Sequence, residues 1–225
     1  MCGRFAQRLP SSRLVDMYRT LPLLANVGPN HNVAPTPTAM VVSAEPEKAE
    51  RRLSLMKWGL VPSWSKSGKM DFATINAKCE TAATSATYRS AFRTRRCIVP
   101  ADAFYEWKKL GDGPKSPKQP YAIARADGEP LWLAGMWEGW KQPDDEWLRT
   151  CTIITTTPNG TMANIHSRMP VVLAPEDWPV WLGEREGDHA ALLKPCPAEW
   201  LRVWKVSARV GSVKNNDEQL LEPVE

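Results

Sequence analysis

The sequence predicts an α+β fold, in which many short strands are surrounded by short helices. Twenty of the 225 residues are proline, a residue that interrupts helices and favours turns, so long helices are not expected. Short runs rich in apolar and β-branched residues recur along the chain and end at proline or glycine, which is typical of strands. Because no repeat or long linker interrupts this pattern, residues 1–225 are expected to form one domain with a substantial core.

The elements follow in order along the chain. Ser11 or Ser12 is suited to cap a first short helix that reaches about Arg19. Alternating or continuous apolar runs predict strands at 38–44, 53–60, 97–99, 104–108, 121–125, 131–137, 152–157 and 203–206. Helical spacing or a helix-starting dipeptide predicts helices at 87–96, 158–165, 176–182 and 188–193. The segment 110–119, rich in Gly, Pro and Lys, is expected to be a loop.

Composition excludes several classes of protein. The net charge of +4 is mildly basic and by itself only weak evidence for a nucleic-acid partner. The five cysteines form no CxxC pair, so neither a zinc site nor a thioredoxin-like motif is indicated. The N-terminus lacks an apolar run, and no stretch reaches membrane-spanning length. We therefore expect no metal, no cofactor and no membrane contact, with free thiols in a cytoplasmic setting.

Cys2 offers the most distinctive chemistry. A small second residue permits removal of Met1, which would leave Cys2 as the N-terminal residue with an amine and a thiol on adjacent carbons. Such an amine, with an ordinary pKa of about 7.7–8.0, is partly neutral at pH 7. It can form an imine with an aldehyde, and the thiol can then close a thiazolidine ring. Gly3 would allow close approach, and Arg4 could bind a phosphate. The alternative is an inert thiol placed there by chance.

Two further segments contain candidate polar groups. Asn76 could hold a substrate hydroxyl or orient an amine, and Lys78 could contact a phosphate. A turn asparagine and a surface lysine are the commoner occupants of such a segment. Glu106 stands among aromatic residues in a predicted strand. It is a candidate general acid or base if it is buried, and a solvated surface group if it faces outward; the pattern favours neither.

His166 is one of three histidines and is followed closely by Arg168 and a proline. It could move protons near pH 7 or polarise a sugar oxygen, although a lone histidine is more often structural. Arg89, with Arg93 and Arg96, lies at the spacing of one helix face, which could track phosphates or simply be solvated. Trp64, just beyond a proline turn, is a candidate stacking platform for bases.

These segments form an ordered set of motifs. The motifs are Met-Cys-Gly-Arg-Phe at 1–5, Asn-Val-Ala-Pro-Thr at 32–36, Trp-Gly-Leu-Val-Pro-Ser-Trp at 58–64, Asn-Ala-Lys at 76–78, Glu-Thr at 80–81, Arg-Cys-Ile-Val-Pro-Ala-Asp at 96–102, Phe-Tyr-Glu-Trp at 104–107, His-Ser-Arg-Met-Pro at 166–170 and Val-Ser-Ala-Arg-Val at 206–210. Along nearly its full length the chain resembles the SOS response-associated peptidase (SRAP) family. The family usually has arginine where this chain has Lys78, which predicts weaker positioning of DNA and no loss of activity.

The resemblance implies an α+β domain with a basic groove for single-stranded DNA. It implies that Cys2, freed of Met1, crosslinks to the aldehyde of an abasic site and shields it. Asn76 would position the amine and the sugar, Glu106 would act as acid or base, and His166 would assist ring opening and reversal. The DNA-binding residues would be Arg4, Trp64, Lys78, Arg89 and Arg168. We expect a monomer, associated with the nucleoid if the protein is bacterial.

Three other functions remain open from the sequence. A class II glutamine amidotransferase also begins Met-Cys-Gly and would use Cys2 to form a thioester, but it would not need the arginine helix face or the tryptophan-flanked turn. A peptidase would use Cys2, Glu106 and His166, and we expect any proteolysis to be self-processing at Met1. A non-catalytic DNA-binding module would bind reversibly, with strong salt dependence, and would tolerate Cys2→Ala.

Overall fold

Two β-sheets, described by a computed structural model, organise the chain. The structure describes residues 2–23, 25, 27–45, 50–70 and 72–225. In chain order their strands are β1 (Phe5–Gln7), β2 (Thr20–Leu21), β3 (Asn30–Val33), β4 (Thr38–Glu45), β5 (Glu50–Trp58), β6 (Asn76–Lys78), β7 (Arg96–Ala101), β8 (Ala103–Lys109), β9 (Lys118–Arg125), β10 (Leu131–Lys141), β11 (Trp147–Thr156), β12 (Met169–Pro170) and β13 (Leu201–Lys205). The helices are α1 (Ser11–Tyr18), α2 (Cys79–Ala82), α3 (Arg89–Thr94), α4 (Gly160–Ala163) and α5 (Trp178–Leu182).

The larger sheet closes on itself. Its strands follow the order β12-β11-β10-β7-β4-β5-β2, and a further parallel pairing joins β11 to β5 through Cys151 and Trp58. β6 extends the other end of β11, again in parallel. Closure pairs backbone groups that an open edge would leave exposed. The long hairpin β10–β11 therefore supports both β5 and β6, the two strands that flank the 59–75 loop.

The smaller sheet has the order β13-β9-β8-β1-β3. Its apolar residues, such as Phe5 and Ile123, share one buried cluster with Val41, Val99 and Ile153 of the larger sheet. The core thus lies between the two sheets, as expected when each sheet buries one face. This arrangement confirms the predicted α+β class, with short helices around many strands.

Most of the predicted strands are present, whereas two helix predictions are wrong in part or entirely. The 87–96 helix is shorter, because Arg96 already belongs to β7 and its guanidinium donates to the Trp181 carbonyl at 2.5 Å. The 188–193 segment is not helical. There the Asp188 carboxylate accepts from the backbone N–H groups of Ala190 and Ala191, which favours a turn. The first helix begins as predicted, but its N-cap position is Pro10, not a serine.

Candidate functional site

Cys2 lies at the seam between the two sheets. Next to it, β1 pairs antiparallel with β8, Phe5 opposite Phe104, and the Tyr105 N–H donates to the Arg4 carbonyl at 2.9 Å. The side chain of Cys2 is fully buried and belongs to the core cluster that also contains Phe5 and Trp58. The pairing of β1 with the middle of a sheet therefore holds the start of the chain in a fixed place.

Asn76 contacts this start of the chain directly. Its side-chain Nδ2 donates to the Cys2 carbonyl oxygen at 2.7 Å. Its Oδ1 is buried and has no hydrogen-bond partner among the residues that the structure describes. Asn76 and Lys78 alternate on β6 with buried Ala77, so both lie on the same face of the strand. The structure thus places a buried acceptor beside Cys2, with an exposed cation two residues further along.

Glu106 is buried, with only 3% of its surface exposed. Glu106 lies in β8, two residues after Phe104, which pairs with Phe5 of β1. Because the two strands are antiparallel, Glu106 lies on the side of this pair towards Cys2. Burial raises the pKa of the Cys2 thiol well above its ordinary value, and the negative charge of Glu106 is the second cause of this increase. Burial and a nearby negative charge thus both oppose ionisation of the Cys2 thiol.

His166 follows α4, which Asn159 caps by accepting from the Met162 N–H at 3.0 Å. The Arg168 backbone N–H donates to Nδ1 of His166 at 3.0 Å. The Arg168 carbonyl oxygen lies 3.3 Å from the same nitrogen. These two contacts with the Arg168 backbone hold the imidazole in one orientation.

His166 also borders a groove of about 390 Å³, which is lined as well by Trp107, the residue after Glu106. Three lysines line this groove: Lys108, Lys109 and Lys118. They come from the facing ends of β8 and β9, so their charges converge on one surface. The sequence interpretation did not single them out, although the alternation of β8 and the Lys-rich loop after it were a usable signal.

Arg168 is engaged within the protein. Its Nη1 and Nη2 donate to the two carboxylate oxygens of Glu80 at 2.6 and 2.8 Å, and Nη2 also donates to the Thr155 carbonyl. This pairing, with Arg168 as the main cause, lowers the pKa of Glu80 to about 2. The ion pair fixes the backbone that orients His166. The predicted contact of Arg168 with phosphate stays a prediction.

The other predicted DNA-binding residues differ in their surroundings. Arg4 donates from Nη1 to Asn32 and to the Val210 carbonyl, both at 2.8 Å, so it anchors the N-terminal segment. Arg89 is exposed at the start of α3. Trp64 is 58% exposed and donates from Nε1 to the Ala86 carbonyl, which orients its ring. Trp58, at the other end of the same turn, is fully buried.

In the described ranges, no three side chains of the metal-binding types come together. None of the helices in that part of the chain is long and apolar enough to cross a bilayer.

The fold and the site define a protein with a buried cysteine near its N-terminus, set between two sheets beside a carboxylate and an amide. The chain belongs to the SOS response associated peptidase (SRAP) family, whose profile matches residues 1–213. It is 37% identical over 227 residues to the abasic site processing protein YoqW of Bacillus subtilis, covering 99% of both chains. It is 33% identical over 233 residues to the abasic site processing protein YedK of Escherichia coli, covering 100% of both.

Solved structures share the fold. A crystal structure of a protein from Bacteroides thetaiotaomicron matches with a TM-score of 0.84 at 23% identity, over 100% of both chains. One from Bordetella bronchiseptica matches with a TM-score of 0.78 at 27% identity, over 92% of this chain and 100% of the other.

Proposed function

We propose that this protein processes abasic sites in single-stranded DNA by forming a covalent bond through Cys2 after Met1 has been removed. The observation that carries the proposal is the contact of Cys2 with Asn76, 2.7 Å from Nδ2 to the carbonyl oxygen, beside the buried carboxylate of Glu106. The relatives named abasic site processing proteins support the same substrate.

The chemistry is a condensation in two stages. The α-amine of Cys2 adds to the open-chain aldehyde of the abasic sugar, and loss of one water gives an imine. The thiol sulfur then adds to the imine carbon while its proton passes to the nitrogen, which closes the thiazolidine ring. One water is lost overall, and no oxidant or reductant is consumed. The product no longer has the aldehyde that drives β-elimination, so the strand is shielded from breakage.

The polar groups of the site suit these steps. Glu106 takes and returns the protons, because it is the buried carboxylate beside the thiol. Asn76 Oδ1, without a partner in the described part of the chain, is suited to accept from the freed amine or from a sugar hydroxyl. His166, oriented by its two contacts with the Arg168 backbone, assists the opening of the sugar ring. The groups proposed to hold DNA are Arg4, Trp64, Lys78, Arg89 and Arg168.

Removal of Met1 is a required first step. While Met1 is attached, the nitrogen of Cys2 is an amide and cannot form an imine. Hydrolysis of that one peptide bond consumes one water and frees the amine. Glu106, a buried carboxylate, would assist as a general base, which would make the peptidase activity an act of self-processing. Alternatively, a methionine aminopeptidase removes Met1.

The surroundings of Cys2 favour DNA over a small amide substrate. A glutamine amidotransferase needs a pocket for one amino acid, whereas this protein has a groove lined by three lysines and His166, and an exposed tryptophan at position 64. Clustered cations and an exposed aromatic ring suit a single strand with unpaired bases. We propose that the protein acts as a monomer in the cytoplasm, where it binds DNA.

The test is a denaturing gel of Met1-processed protein mixed with single-stranded DNA carrying one abasic site. We expect a slow band that survives boiling for the wild type and is absent for Cys2→Ala and Cys2→Ser. A band that persists in Cys2→Ser without reductant would show that the amine alone forms the stable bond. If no variant gives a band, the crosslinking function is wrong, and glutamine hydrolysis becomes the next assay.

A further inference from the structure

We propose that the hairpin β10–β11 holds a flank of the same DNA strand, away from the abasic site. The surface consists of Trp137, Gly139, Trp147 and Arg149, which we call the hairpin stripe. It lines a groove of about 490 Å³ together with Ser63. This inference rests on the proposed function for its partner, and it assigns a binding surface outside the Cys2 site.

The stripe follows from strand register. Gly139 pairs with Arg149, and Trp137 pairs with Cys151, so the four residues of the stripe lie on one face of the antiparallel pair. A Cβ added to Gly139 would lie 3.3 Å from Cε3 of Trp147, which shows that this indole rests on the glycine. The Arg149 guanidinium lies 5.6 Å from the Trp137 ring. Aromatic rings and a cation therefore alternate along one surface.

The exposure of Trp147 indicates a ligand. Its side chain is 63% exposed, the largest value among the large hydrophobic residues that are exposed in the described ranges. With one ring face supported by Gly139, the other face is free to stack on a base. Arg149 is also exposed, and no carboxylate in the described part of the chain pairs with it. Separate rings alternating with cations fit stacked bases and phosphates better than a continuous apolar protein surface.

A series of contacts links the stripe to the proposed reaction site. The Tyr88 hydroxyl donates to the Asn76 carbonyl, and two residues before it the Ala86 carbonyl accepts from Trp64. Ser63, next to Trp64, lines the groove of the stripe. The Trp140 indole of the hairpin donates to the Ser65 carbonyl at 2.6 Å, which fixes the hairpin beneath this loop. A strand leaving Cys2 past Trp64 would therefore reach Trp147.

Acidic residues near the stripe limit where a DNA strand could bind. Glu138 is buried and paired with Arg95 at 2.8 Å, so its charge is neutralised at the groove. The hairpin tip contains Asp144, Asp145 and Glu146, of which only Asp145 has a cationic partner, Lys141, among the described residues. This acidic tip would repel phosphates. The strand is thus confined between Trp64 and the tip.

The test measures DNA binding by fluorescence anisotropy, with all variants made in a Cys2→Ala background. The ligands are two single-stranded oligonucleotides, of about 5 and about 20 nucleotides, each with one central abasic site. We expect Trp147→Ala to weaken binding of the longer oligonucleotide about tenfold and to leave the shorter one unchanged, because base–aromatic stacking is lost only in the flank. Arg149→Gln should weaken the longer one and reduce its salt slope by about 0.7. The matched control is Arg202→Gln, where an arginine lies 4.8 Å over Trp204 in the other sheet.

The outcomes separate this inference from the proposed function. If Trp147→Ala and Arg149→Gln bind the longer oligonucleotide as tightly as Arg202→Gln does, the stripe does not bind DNA. If the length-dependent loss is seen while Cys2-containing protein gives no crosslink, the stripe holds DNA and the covalent function fails. Because both side chains are exposed, thermal melting of each variant should match that of the wild type, and Arg149→Gln provides the answer even if Trp147→Ala does not fold.

Discussion

The buried end of the site and its exposed rim are built differently. At the buried end, Cys2 and Glu106 are held by the pairing of β1 with β8, and Asn76 is held by the pairing of β6 with β11. At the rim, Lys78 of β6 and Trp64 of the 59–75 loop are exposed to solvent. Backbone hydrogen bonds therefore fix the groups that we propose to react, while the rim depends on side chains that can adapt to a ligand.

The difference suggests a division of tasks. Proton transfer requires groups within hydrogen-bond reach in a setting that excludes water, where charges act strongly. Binding a nucleic-acid backbone requires cations spread over many ångströms, each contributing little. Changes at the buried end should thus alter the rate of reaction, and changes at the rim should alter affinity.

Glu106→Gln should give the largest loss. The amide cannot accept the proton of the thiol, so the rate of crosslinking at saturating DNA should fall by about 10²- to 10⁴-fold, or ~3–5 kcal/mol of activation free energy. Removing the negative charge should also lower the pKa of the Cys2 thiol, because Glu106 raises it. Single-turnover gels and the pH dependence of thiol alkylation measure the two effects.

Asp102→Asn is the matched control for that variant. Asp102 is a half-buried carboxylate at the other end of β1, where it accepts from the backbone N–H groups of Arg8 and Leu9. Its replacement should leave the crosslinking rate unchanged. An equal loss of rate in both variants would mean that Glu106 acts by supporting the fold.

Lys78→Ala should weaken DNA binding about fivefold and reduce the salt slope by about 0.7, since one phosphate contact is lost. The rate at saturating DNA should not change. Lys78→Arg should strengthen binding, because a guanidinium can contact phosphate through two donors. The measurement is anisotropy over a salt series, with Arg185→Ala in the exposed turn after α5 as control. A changed rate at saturation would place Lys78 among the reacting groups.

The smallest effect is expected for the Glu80–Arg168 pair. The pKa of Glu80 is lowered to about 2 from the ordinary 4.5, so its contribution to stability is present above pH 4.5 and is lost as the pH falls through 2. Because the Glu80 side chain is 49% exposed, the contribution should stay below about 1 kcal/mol. Urea unfolding of wild type and Glu80→Gln should differ at pH 7 and converge in acid. A constant difference would contradict the pairing.

Several structural features could be predicted from local sequence. Asn159 is the N-cap of α4 because a short polar side chain there can accept from a helix N–H. The β4 strand follows its apolar run almost to the residue. Asn76 and Lys78 share a face because side chains alternate along a strand. In each case the signal lies within a few residues, and no distant partner is needed to interpret it.

Other features depended on partners far along the chain. The sequence around Glu106 is compatible with a buried or a solvated side chain, and the packing of the two sheets buries it. Arg96 has helical spacing, yet the carbonyl of Trp181 and the sheet hydrogen bonds of β7 placed it in a strand. The hairpin stripe was missed because it needs the cross-strand register of β10 and β11.

The strand-rich pattern, the motifs of the family and the aminothiol that removal of Met1 would create are all visible in the sequence. The tertiary structure decided which of two similar residues is used for the core and which for the surface. Trp58 and Trp64 lie six positions apart around one turn, but Trp58 donates to the Ile75 carbonyl in the core and Trp64 faces solvent. Periodicity tells which side chains share a face, and only packing decides which face is covered.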